Sequence, residues 1–196
     1  MPRVSRAETE KNRIAIQAAA SRLIRERGLG VSVADLMGAA GLTHGGFYGH
    51  FASKDALNAI ACASALTESN ERWRARTADA ATPEQARAAL VKGYLTPENR
   101  AMPANSCPLS SLSVDVSREP ADKPIRPVFQ GGLESLLGQL TDCQPPALTP
   151  AQRRARALAE LSTLVGAMVL ARAVSGSPLS DEVLEAARQA LLPAPR

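Results

Sequence analysis

Residues 32–54, SVADLMGAAGLTHGGFYGHFASK, carry more structural instruction than any other stretch of this chain. Ser32 is placed to cap a first short helix, with Asp35 three residues on as a capping-box-like partner. Val33, Leu36 and Ala40 fall at helical spacing, so one side of that helix is apolar. Gly41 then stands where a helix end favours a left-handed residue. Thr43 is placed to cap a second helix, and Leu42 before it occupies the staple position for Phe47. Cap, short helix, glycine turn, cap and short helix within about twenty residues predict a helix-turn-helix.

Setting residues 44–51 at ~100° per residue puts Phe47 and Phe51 on one face, Gly45 and Gly49 roughly opposite, and His44 and Tyr48 on a flank. The aromatic pair is the inward side, because two large rings anchor a short helix to its neighbours. The outward side therefore carries glycines. Four glycines from Gly41 to Gly49 oppose helix formation, at ~1 kcal/mol for each one inside the helix. A helix that keeps them on its exposed face suits a surface that comes close. The major groove of DNA admits a helix.

Working outward, Ser5 and Glu8 make a capping box that opens a helix ended by Gly28 and Gly30. Ser53 caps a long helix to about Arg76, with Lys54 and Asp55 in its first turn. After a loop, Pro83 stands at the first position of a helix running from about 84 to 95. Three prolines in residues 96–108 predict a broken connection, after which Cys107-Pro108 opens a helix to about Arg118. Pro120, Pro124 and Pro127 crowd the next link, so the following helix starts near Ile125 and ends near Thr141. Thr149-Pro150 opens a long apolar-rich helix to about Val174, and Ser180 with Asp181 and Glu182 starts a last one to about Leu192. The expected architecture is all-α with nine helices and no strands.

Composition narrows the class further. Aromatic residues make up only 3% while alanine and leucine abound, which favours helices over sheets. No apolar run approaches the ~18 residues that span a bilayer, and the N-terminus lacks the apolar core of a secretory signal. A cytoplasmic protein with no membrane partner is expected. Net charge is +4, of which residues 1–60 carry +3; a phosphate-facing module and a solvated helix face explain that equally well. Cys62, Cys107 and Cys143 form no paired framework, and His44 and His50 are six apart, so no metal site or other cofactor is expected. An enzyme reading lacks support, with no nucleophile–base–acid pattern and no glycine-rich phosphate cradle.

The segment GLTHGGFYGHFASKDAL closely resembles the helix-turn-helix of tetracycline-repressor-like (TetR family) transcription regulators. The likeness extends back through Ile16, Ala19, Ala20, Leu23, Ile24 and Gly28, and beyond residue 60 it is one of helix pattern only. It implies an N-terminal DNA-binding domain over residues 1–52 and a helical effector-binding and dimerisation domain over 53–196. At positions that commonly meet operator DNA in the family stand Ser32, Thr43, His44, Gly45, Gly46, Tyr48, His50 and Lys54. With so few long side chains outward, specificity is expected to lean on Thr43, His44, Tyr48 and DNA shape.

The resemblance also implies a homodimer through the last two helices, double-stranded operator DNA as partner, and a small-molecule effector of unknown identity. Leu158, Leu161, Val165, Met168, Val169 and Arg172 form one broad stripe and Val183, Ala187, Ala190 and Leu191 another; each fits a partner's helices or the chain's own core. Trp73, Tyr94, Met102, Phe129 and Met168 are candidates to line or fill an effector cavity. NSCPLSSL resembles a Cys-Pro helix start in a branch of the family that includes sensors of electrophiles and oxidants. Cys107 is then either a reactive effector-sensing thiol, its pKa lowered by the helix N-terminus, or a small buried residue. The expected function is a regulator of transcription, a repressor released by an effector or by cysteine modification; an activator is the alternative.

Overall fold

The computed structural model describes residues 6–192. Among these lie nine α-helices and two 3-10 segments: α1 (Arg6–Arg27), α2 (Val33–Ala39), α3 (Lys54–Thr77), α4 (Pro83–Tyr94), α5 (Pro97–Ala101), α6 (Pro108–Arg118), α7 (Ile125–Asp142), α8 (Pro150–Ala173) and α9 (Pro178–Leu191). The 3-10 segments are His44–Gly49 and Pro103–Asn105. The count of nine matches the expectation, but its membership differs. The second helix of the motif is the 3-10 segment 44–49, not an α-helix to 51. Three of its six residues are glycine, too few favourable dihedrals to hold an α-helical ladder over so short a span.

The ninth α-helix is α5, inside the stretch expected to be a broken connection. Its Thr96 accepts a hydrogen bond from the Asn99 amide and Pro97 takes the first turn, the same cap-then-proline device that opens α4 and α8. α9 likewise starts earlier than expected, at Pro178 behind the cap Ser177. Ser180 is buried instead, and its hydroxyl donates to the Ala171 carbonyl at 2.6 Å. The Ser5 half of the first capping box lies outside the described residues.

The long helix α3 organises the fold, packing on α1 at one side and on α7 and α4 further along. One continuous core runs from Ile16, Leu36 and Phe47 through Leu57 and Trp73 to Leu136, Leu164 and Met168. α8 pairs with α9 and with α7, which places both C-terminal helices against the body. A carboxylate is buried at that end: Glu160 of α8 takes both oxygens to Arg87 Nε at 2.9 Å and accepts from Gln144 and Arg156. Burial pushes this acid up, but the Arg87, Gln144 and Arg156 hydrogen bonds outweigh it and hold Glu160 below its ordinary value.

Candidate nucleic-acid interface

The motif is built from its turn outward. Ser32 caps α2 by accepting from the Asp35 amide at 3.1 Å, while its hydroxyl donates to the Asp35 carboxylate at 2.6 Å. This differs from a full capping box, in which the acid would accept from the cap's own backbone amide. After α2, Gly41 adopts φ +72°, the left-handed residue that lets the chain reverse. Thr43 follows with extended backbone at the start of the 3-10 segment, but its side chain makes no cap bond. That corrects the expected cap and leaves the Thr43 hydroxyl outward.

Phe47 is completely buried and Phe51 nearly so, their rings 5.8 Å apart. Tyr48, one residue on, is 74% exposed and stands edge-on to Phe47 at 5.1 Å. Gly45 and Gly49 are open: a Cβ built on either would meet nothing within 4 Å. Gly46 is exposed as well, but a Cβ there would touch Met37 of α2 at 3.7 Å. His44 is exposed, while His50 is half-buried with a buried Nδ1 that has no hydrogen-bond partner. Ser53 caps α3 through the Ala56 amide at 3.0 Å, presenting Lys54 on its first turn. The structure therefore gathers Thr43, His44, Gly45, Tyr48 and Lys54 around one short segment, with Gly46 turned toward α2 and His50 partly beneath.

The candidate effector residues do not form one group. Trp73 and Tyr94 meet edge-to-face at 6.2 Å in the core, and Tyr94 lies beside Cys107. Met168 belongs to the same buried core. Phe129 lines a separate surface groove of about 500 Å³ with Val116, Pro127 and Leu133, and Met102 is half-exposed. Cys107 does not behave as its helix position suggested. Burial pushes its thiol up, and the Leu109 amide, Tyr94 and Arg72 do not offset that. It caps α6 through backbone alone.

Sequence reasoning missed what surrounds Cys107. The neighbouring Ser106 carbonyl accepts from Arg25 at 3.2 Å and its hydroxyl from Arg172 at 2.6 Å. Arg172, read as part of an apolar stripe, also reaches the Asn99 and Ser110 carbonyls. Local spacing holds no signal for contacts between residues so far apart in the chain.

Comparison with known proteins bears on the same segment. Residues 16–59 match the family model for bacterial regulatory proteins, tetR family. The matched residues take in the helix-turn-helix and the start of α3. The likeness to that family is carried by this N-terminal segment, and the C-terminal helices share a likeness of fold alone. The fold of the chain is similar to that of a TetR-family transcriptional regulator from Cytophaga hutchinsonii, with TM-score 0.77 and 20% identity over 97% of this chain and 96% of that one. It is also similar to the reduced form of NemR from E. coli, with TM-score 0.75 and 19% identity over 92% and 95%. The fatty acid degradation regulator FadR from Bacillus halodurans gives TM-score 0.67 and 17% identity over 94% and 96%. No curated protein matches the sequence. No described helix is long and apolar enough to cross a membrane.

Proposed function

We propose that this chain is a tetR-family regulator, a dimeric repressor that reads a near-palindromic operator with the segment 44–49 and is released by a small-molecule effector. The observation that carries the reading is the division of that segment: Phe47 wholly buried, Tyr48 exposed, and Gly45 and Gly49 open on the outside. A backbone without side chains on its outer face comes close to base edges, while Thr43, His44 and Tyr48 supply the hydrogen bonds. Lys54 and the first-turn amides of α3 hold a phosphate, Ser32 adds a hydroxyl at the rim, and Gly46 and His50 support the segment from behind. The head, residues 1–52, is followed by the effector and dimerisation domain over 53–196.

Dimerisation through α8 and α9 is supported by apolar residues left outside the core. Leu158, Leu170 and Leu179 are 42–59% exposed, while Leu161, Met168 and Leu184 on the same helices face inward. One stripe thus serves both surfaces. A non-covalent effector fits better than thiol modification, because Cys107 is buried and held protonated. In vitro selection from random duplexes tests the reading. The expected product is a two-fold symmetric site with half-site centres ~34–36 Å apart on one face. Enrichment of no symmetric sequence refutes it. Reciprocity requires that a true effector bind more weakly to the operator-bound protein.

A further inference from the structure

Resting on the effector-controlled role proposed above, we infer that the surroundings of Tyr94, between Arg76 and the N-terminal end of α6, form an anion site that takes the carboxylate of a small organic acid. Positive charge is gathered there without the acids that ordinarily accompany it.

The N-terminal end of a helix carries partial positive charge, so acids favour that end and arginines the other. α6 is 11 residues long and has no acid in its first turn, yet guanidiniums crowd it. Arg25 donates to the Ser106 carbonyl at 3.2 Å and Arg72 to the same carbonyl at 3.4 Å. Arg172 of α8 donates to the Ser106 hydroxyl at 2.6 Å and to the Ser110 hydroxyl at 3.2 Å, one on each side of Cys107. Arg76 lies over the bare backbone of Gly93, where a Cβ would stand 2.8 Å from its Nε. Among the described residues, the acid that answers these four cations is Glu68, at 2.8 Å from Arg25 and 3.8 Å from Arg72. Arg76 and Arg172 have no ion-pair partner there. Cys107 does not supply the missing negative charge, because burial keeps its thiol protonated.

Two donors are left to receive a ligand. Every nitrogen of Arg172 already donates to a carbonyl or hydroxyl, whereas Arg76 has no hydrogen-bond partner among the described residues. Tyr94 is 1% exposed, and its hydroxyl has no hydrogen-bond partner although Cys107, Ser110 and Arg172 lie around it. A buried hydroxyl left unpaired is costly, and an incoming acceptor removes that cost. A planar guanidinium and a hydroxyl together match the two oxygens of a carboxylate. Arg76 is exposed, so it can swing off Gly93 to admit the acid and close on it, while Arg72 and Arg172 stay on Ser106 and supply charge. Trp73 stands edge-on to Tyr94 at 6.2 Å and gives the apolar part of the acid a ring to meet.

Trp73 is also the single tryptophan of the chain, so its fluorescence reports on the site. The full-length protein is titrated with sodium acetate, sodium benzoate and inorganic phosphate, each against sodium chloride at equal ionic strength. A saturable change with acetate or benzoate, absent with chloride, is expected. Tyr94→Phe and Arg76→Gln, folded by circular dichroism, each weaken it by about tenfold or more. Should Tyr94→Phe fail to fold, the exposed Arg76→Gln carries the test alone. No saturable response to either carboxylate, or one that the folded variants keep at wild-type affinity, overturns the site, and a response to phosphate alone overturns the carboxylate assignment. The same acid lowers operator affinity by about fivefold or more; binding that leaves operator affinity unchanged overturns the acid's role as effector. A wild type that selects no palindrome but still binds the acid removes the DNA-reading role and leaves the anion site standing.

Discussion

Replacing Phe47 with alanine should detach the reading segment from the protein. The ring has no exposed surface, stacks against Phe51 at 5.8 Å and belongs to the core that includes Leu36 and Met37 of α2. Truncating a fully buried phenylalanine costs about 3–5 kcal/mol, the lost transfer energy plus the cavity left behind. The 3-10 segment has little else to hold it, since its glycines contribute no side-chain packing on the outer face. For a chain of this length each kcal/mol moves the melting temperature by roughly 2–4 °C, so a drop of roughly 6–20 °C is expected if unfolding is one transition. Calorimetry gives that number, or resolves an early transition if the head melts alone. Operator affinity falls with it, whereas Phe47→Leu, which nearly conserves volume, loses less than about 1.5 kcal/mol. A Phe47→Ala protein destabilised by under about 1 kcal/mol with full operator affinity would refute the inward assignment of the aromatic pair.

Four further outcomes are expected elsewhere. In the native protein at pH 7, Cys107 reacts with a maleimide at least about tenfold more slowly than in urea, as measured by mass spectrometry; fast native labelling would show that burial does not control the thiol. Cys62, its thiol pushed up to about 12 by burial, stays unlabelled even in mild alkali. Glu160 is held below its ordinary value of 4.5, so its pairing stabilises the fold above that pH and is lost as acid protonates it. Melting temperatures between about pH 5 and pH 3 should therefore fall more steeply for wild type than for Glu160→Gln, and parallel curves would contradict the assignment. Leu170→Asp, a charge placed on an exposed apolar position of α8, should convert dimer to monomer in sedimentation while leaving the helical content unchanged; a variant that remains dimeric places the interface elsewhere.

Features set by neighbouring residues are legible in the sequence. Ser53 and Thr149-Pro150-Ala-Gln open helices because a hydroxyl can satisfy a first-turn amide, Pro83 takes a first turn, and Gly41 reverses the chain because only glycine takes its φ cheaply. The same device at Thr96-Pro97 and Ser177-Pro178 was masked by nearby prolines and by the acidic pair at 181–182. The inward phenylalanines and open glycines of the motif follow from periodicity alone. The grips on Ser106 and Leu29 do not, because Arg25 and Asp115 meet partners 81 and 86 residues away. Nor does the state of Cys107: a helix N-terminus lowers a thiol only where solvent or a cation dominates, and here burial does.

Operator reading rests on the open glycine face meeting DNA, and Gly45→Leu measures that directly. A Cβ at this position meets nothing within 4 Å, so the substitution leaves the free protein folded and, by helix propensity, no less stable. Titrated against the operator selected by wild type, Gly45→Leu should bind at least about tenfold more weakly with an unchanged melting temperature. Undiminished, sequence-selective binding by the folded variant would contradict the account.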